Sequence, residues 1–272
     1  LFTWKVETST QQTYGLESAG PGPTVNTDGV FSLTGTHEWD FTDGREFEAI
    51  LGSLVQGTGT YGLATANTLP SYSVEVVDEA DISKYLKIKG LKYTKFSLNL
   101  TRGEEPIKVT ADWIAKEIEN TGTFTPSVSS VEPLVYLDGY LTVGGTDQVE
   151  VEDVTMEIDR KCVGMRFIEN TTTNERRLIS EIVEGPLSIA FNGNISAQRD
   201  LLEEVFGGAT MTDVRSDKSV VLNIGRGDTA LHLTVSGGRY VSTGRTLQKD
   251  QEVSLMDFAG VGLDITGTGS NP

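Results

Sequence analysis

YLKIKGLKYTKFSLNLTRGEEPIKVTADWIAK, residues 85–116, carries the signal that decides the fold. Phe96, Leu98 and Leu100 alternate with polar residues, and so do Ile107, Val109, Ala111 and Trp113. A period of two puts successive side chains on opposite faces of an extended chain, so each run reads as a strand with one buried face. Between Thr94 to Thr101 and Pro106 to Ile114 lie only Arg102, Gly103, Glu104 and Glu105, a Gly-containing connection of hairpin length.

The same alternation recurs outward from this hairpin. It is present in Tyr72, Val74 and Val76; in Leu187, Ile189 and Phe191; in Val220, Leu222 and Ile224; and in Leu231, Leu233 and Val235. Asp138-Gly139, between Val135-Tyr136-Leu137 and Tyr140-Leu141-Thr142, reads as a second hairpin. From Val149 and Val151 the apolar positions slip by one to Val154, Met156 and Ile158, which predicts a β-bulge near Asp153. Gly57 to Pro70 reads as a long Gly- and Thr-rich loop.

Two stretches have helical spacing. Asp43-Gly-Arg-Glu46 resembles a capping box ahead of Phe47, Ile50, Leu51 and Leu54. A second helix is expected from Ser196, with Leu202, Val205 and Phe206 on one face and Gly207-Gly208 as its stop. The expected class is all-β with two short helices, built as β-sandwich or barrel-like units.

An internal duplication is also expected. Phe47-Glu-Ala-Ile-Leu-Gly52 matches Leu202-Glu-Glu-Val-Phe-Gly207 in pattern, and Lys108 to Trp113 matches Val253 to Phe258, each ending in Asp plus an aromatic. The expected division is an N-terminal arm (1–24), a first unit (25–120), a Thr/Ser/Gly/Pro-rich linker (121–132), a second unit (133–264) and a C-terminal tail (265–272).

The chain of 272 residues is long enough to bury a real core. Its apolar runs are far shorter than the roughly 20 residues a membrane helix needs. No signal-peptide pattern opens it, and the lack of an initiator Met leaves the start open upstream of Leu1. A formal charge of −17, from 39 acidic and 22 basic residues, argues against gripping nucleic acid or anionic lipid. Such acidity marks an ordinary acidic surface, or serves solubility at high salt, or forms a surface past which a polyanion moves without sticking.

Chemistry is hard to find. His37 and His232 are isolated in alternating segments and read as exposed strand residues, and the single Cys162 reads as a small buried hydrophobe. No nucleophile elbow or phosphate loop occurs, and Gly57-Thr-Gly59-Thr-Tyr-Gly62 follows a helix rather than a strand, so it reads as loop. Asp147, Glu150, Glu152 and Asp153 lack the ligand order of a calcium loop and read as a solvated face. Asn99, Asn170 and Asn194 begin glycosylation-type triplets to which no role is given. No catalytic residue, metal site or cofactor is expected.

Three passages carry a family resemblance: the strand and helix from Trp39 to Gly52; the run 85–116; and the segment from Leu134 to Val143 through to Asp257 and Phe258. On these the chain resembles the tail tube, or major tail, proteins of long-tailed bacterial and archaeal viruses. The resemblance implies a non-enzymatic virion subunit that self-assembles into stacked rings around a channel for genome ejection. It implies a ring-forming partner in itself, further partners in tail tip or baseplate, terminator and tape-measure proteins, and passing double-stranded DNA without specific binding. Membranes are not involved, and the protein would reside in the virion tail and, during assembly, in the host cytoplasm.

With the duplication, a trimer of pseudo-sixfold symmetry is expected over a true hexamer. Lys84, Lys87, Lys89, Lys92 and Lys95 form a basic cluster. Lys87, Lys89 and Lys95, with Asp147, Glu150 and Glu152, are candidate inter-ring contacts. Three readings compete: a carbohydrate-binding or adhesive β-sandwich, a single-ring terminator or baseplate protein, and a β-sandwich hydrolase. The first needs exposed aromatic platforms, whereas Trp39 and Trp113 sit at positions that look internal.

Overall fold

A computed structural model describes residues 1–13, 25–78, 81–101, 103, 105–119, 132–135, 139–143, 146–148, 151–166, 179–196, 217–226, 229–246 and 255–270. The chain begins with β1 (Phe2–Thr13) and β2 (Val25–Asp40), then a 3-10 turn (Gly44–Phe47) that runs into α1 (Glu48–Leu51). β3 (Gly52–Gln56), β4 (Thr60–Thr65), β5 (Tyr72–Asp78), β6 (Asp81–Thr101), β7 (Lys108–Ala115) and β8 (Glu117–Glu119) complete the first half. The second holds β9 (Gly139–Val143), β10 (Thr146–Gln148), β11 (Val151–Asp159), β12 (Val163–Met165), β13 (Glu181–Val183) and β14 (Ser188–Ser196). β15 (Lys218–Arg226), β16 (Thr229–Thr246), β17 (Leu255–Gly262) and β18 (Asp264–Ser270) close the chain.

The all-β expectation holds: nearly every element is a strand, and pairing is antiparallel throughout. The main path runs β1-β2-β7-β6-β11-β14-β17-β16, crossing from the first half to the second where β6 meets β11. β16 continues into a second layer ordered β10-β9-β15-β16-β18-β4-β3, and β6 into a small sheet with β5 and β8. The alternating apolar residues of these layers meet in one core, which holds Trp113, Phe96, Met156, Phe191, Leu222 and Leu233.

The hairpin of 94–114 forms as β6 and β7, with Leu98 opposite Val109 and Phe96 opposite Ala111. The register slip expected near Asp153 occurs between Val151 and Asp153 on β11. Asp43 caps the 3-10 turn rather than α1, accepting from the Arg45 N–H at 2.9 Å. α1 itself has Phe47 at its N-cap with no side-chain cap bond and ends at Gly52 with φ 96, so the expected capping box does not form and Leu54 lies in β3. Glu46 turns inward, accepting from Trp39 Nε1 at 2.5 Å and from Thr42 Oγ1 at 3.0 Å. The second expected helix lies outside the described residues.

Several expectations fail, for one physical reason. Gly57–Pro70 is not a loop, because Thr60–Thr65 pairs with both β3 and β18. The C-terminal segment is not a tail, because Asp264–Ser270 lies between β16 and β4. Small residues are needed there: a Cβ at Gly269 would overlap the Tyr61 ring, and one at Gly267 would stand 3.0 Å from Leu63 Cδ1. Of the hairpin expected around Asp138-Gly139, residues 136–138 lie outside the described residues; Val135 bridges Pro106, and Gly139–Val143 pairs with β10 and β15. The N-terminal segment is extended as expected, but Phe2–Thr13 lies along β2. Among the described residues the sheet closes into no barrel within one chain.

Replacing Trp113, which is 1% exposed, by Ala is expected to cost about 3–5 kcal/mol in chemical denaturation. Glu46 gives a pH signature: burial pushes its carboxyl from 4.5 up to about 7. The folded state therefore holds this proton more tightly than the unfolded chain does. Its contribution is complete below about 4.5 and is lost as pH rises through about 7. Glu46→Gln should match the native Tm at pH 4 and exceed it at pH 8, measured by thermal scans.

Candidate functional site

Alternation gives the β1-to-β16 sheet two unlike faces. One enters the core; the other is polar along rows that between them cross all its strands. One row reads Thr3, Thr36, Asp112, Lys95, Asp159 and Ser188. A second reads Asp40, Lys108, Asn99, Thr155, Asn192, Ala259 and Ser242. Asp40, Lys108, Asp112, Asn192 and Asp257 on this face are exposed to solvent. A sheet face without an apolar stripe has nothing to gain from a covering layer.

Local contacts hold these side chains in place. Lys108 reaches Glu38 at 3.4 Å and Asp40 at 3.6 Å, and Lys95 pairs with Glu157 at 2.9 Å. Thr36 Oγ1 donates to Asp112 at 3.1 Å, Thr155 Oγ1 to Asn99 at 3.0 Å, and Asn194 Nδ2 to Asp153 at 3.1 Å. Carboxylates outnumber cations on this face: Glu7, Glu38, Asp40, Asp112, Asp153, Glu157, Asp159 and Asp257 against Lys5, Lys95, Lys108 and Arg239. Their polar identity was visible between the apolar positions; which of them share a face required the register.

The candidate contact residues separate. Lys87 and Lys89 lie on the part of β6 between β5 and β8, where Lys87 pairs with Glu75 at 3.0 Å and Lys89 pairs with Glu119. Lys95 lies beyond Gly90 and a bulge, on the polar face between β7 and β11. Asp147 is in β10, Glu152 is in β11, and Glu150 is outside the described residues. Sequence proximity grouped the lysines, whereas the bend in β6 divides them. Lys92 is different again, pairing at 2.6 Å with Glu184 at the end of the sheet.

The histidines are not exposed strand residues. His37 stacks on Trp39 at 4.5 Å and shares a 3.3 Å hydrogen bond with Tyr93 OH, and burial lowers its pKa to about 4. His232 bonds the buried Asn223. Cys162 is half-buried, 3.5 Å from the Tyr93 carbonyl oxygen, and burial raises its thiol to about 11. A thiol so shifted is a poor nucleophile at neutral pH. Among the described residues, no cluster of His, Cys, Asp or Glu is arranged to hold a metal, and no helix is long and apolar enough to cross a membrane.

The polar face ends in two open edges. Among the described residues no strand pairs with the outer side of β1, or with the outer side of β16 from Arg239 to Thr246. Unpaired edges are templates for further strands unless something blocks them.

The chain thus presents an antiparallel sheet with one polar, acidic face and two open edges. A family model described as phage tail tube protein matches residues 7–269. The chain therefore belongs to the phage tail tube protein family, whose members are structural components of the virion tail that associate with one another and with other tail components. No curated protein matches it.

The Lys95–Glu157 pair is part-exposed, so a double-mutant cycle with Lys95→Ala and Glu157→Ala should give a coupling of about 0.2–1 kcal/mol in chemical denaturation.

Proposed function

We propose that copies of this chain close into rings that stack into a tube, with the polar face of the β1-to-β16 sheet lining the channel and with no enzymatic activity. The observation that carries this reading is the pairing of one core face with one uncovered acidic face across the whole sheet. Fixed carboxylates next to a moving polyanion give no counterion release, so duplex DNA passes without being held. Three copies, each supplying two similar units, would make a ring of pseudo-sixfold symmetry. Ring stacking is assigned to Lys87 and Lys89 against Asp147, Glu150 and Glu152 of the next ring, while Lys95, on the polar face, faces the channel. Tail tip, terminator and tape-measure proteins are the remaining partners, and assembly takes place in the host cytoplasm.

A glycan-binding reading finds less support. Trp113 is buried, and Trp39 packs against Tyr93 and Phe96 at 6.3 and 5.6 Å rather than forming a platform.

Electron microscopy of the concentrated protein should reveal stacked rings with a central channel, and averaging should give three-fold rings. Monodisperse single particles at both low and high salt would overturn the proposal. Asp112→Lys with Asp257→Lys should yield tubes that retain duplex DNA at about 50 mM salt and release it by about 200 mM, whereas native tubes retain none at either.

A further inference from the structure

The two open edges fit each other. We infer that β1 of one copy pairs with β16 of the next, in the register already used inside the chain where β11 pairs with β6. This deepens the ring proposal above and rests on it.

The argument begins with the order of strands. Along the sheet, β1-β2-β7-β6 is followed by β11-β14-β17-β16, with the same antiparallel sense at every step. Finer features coincide. β6 bends at Gly90 (φ 65) and β16 at Gly237 (φ 60). Two residues earlier, Ile88 lies between Val74 and Ile118, and Val235 lies between Val220 and Ile265. Past the bend, β6 bulges between Tyr93 and Lys95 opposite β7, and β16 bulges between Tyr240 and Ser242 opposite β17.

The pairs flanking these bulges match as well: Lys92 with Ile114 and Tyr93 with Trp113, against Arg239 with Val261 and Tyr240 with Gly260. Continuing across the sheet, Trp113 lies opposite Gly35, and Gly260 lies opposite Phe191. In both places an aromatic ring covers a glycine. A Cβ on Gly35 would overlap Trp113, and one on Gly260 would overlap Phe191. The contact is the same with its members exchanged between strands. This correspondence sets Asp257-Phe258 on Thr110-Ala111, two residues from the sequence-based match to Asp112-Trp113; a slip of two keeps every side chain on its face.

The equivalence makes β6–β11 a worked example of the missing contact. There Lys95 faces Asp159, Phe96 faces Ile158 and Leu98 faces Met156, and the Arg160 N–H donates to the bulged Thr94 carbonyl at 2.8 Å. Carried to the open edges, the register sets Glu7 opposite Ser242, Val6 opposite Thr243 and Trp4 opposite Arg245. The bulged Val241 takes the place of Thr94. Val6 and Val241 are 40% and 55% exposed in the single chain, as apolar residues awaiting a neighbour would be. The occupant is a second copy because this chain already contains both sides of the contact.

Opposed residues in an antiparallel pair bring their Cβ atoms to about 4.5–5.5 Å, from which a small backbone adjustment reaches the roughly 3.5–4.5 Å of a disulfide. In a Cys162→Ser background, Glu7→Cys with Ser242→Cys should yield covalently linked multimers on oxidation of assembled protein. Lys5→Cys with Ser242→Cys, on the same face but two residues out of register, should yield at least ten-fold less. Hydrogen exchange gives an independent readout: amides of residues 3–7 and 242–246 should gain protection on assembly. Rings seen by microscopy with equal cross-linking of both pairs, or without protection at these edges, would overturn the register while leaving the ring intact. Loss of rings from the unmodified protein would instead overturn the reading on which it rests.

Discussion

The hydrogen bonding of β6 and β16 holds the molecule together. These strands run 21 and 18 residues, against about 5–6 for an ordinary strand, and each serves in two layers. β16 turns from the second layer, and β6 from the small sheet with β5 and β8, into the main sheet at a glycine in the left-handed region, where a side chain would be strained and would also press on Leu263 or Lys116. Because each strand pairs on both sides of its bend, the layers cannot separate without breaking a continuous ladder. The single core between them follows from that continuity.

How much of this was legible depended on the source of each residue's identity. Where a position is apolar because it is buried, as at Val109, Ala111 and Trp113, alternation revealed both strand and face. Where a position is small because a neighbour overlies it, the same composition imitates a turn. Gly267 and Gly269 look like a tail until Leu63 and Tyr61 are placed over them. Register is a third kind of information. The row joining Asp112 to Lys95 and Asp159 consists of residues scattered through both halves, and only strand pairing makes them neighbours.

The candidate site is likewise a product of backbone order rather than of any motif. No residue on the polar face is chemically unusual, and its ion pairs are of the part-exposed kind that contribute little to stability. Its significance lies in extent: one surface of one charge balance, presented by a sheet whose opposite face is committed to the core.

The pairing of β6 with β11 inside one chain has a bearing on assembly and descent. Two strands on the same polypeptide meet at an effective concentration set by the chain between them, so dilution does not part them. A contact between separate copies obeys mass action and opens first. Under the proposed edge pairing, the internal contact is also the one free to drift, because changes on its two sides are inherited together and need suit no other surface. On that pairing the counterparts of Lys95 and Glu157 are Ser242 and Lys5, which could not form the same ion pair.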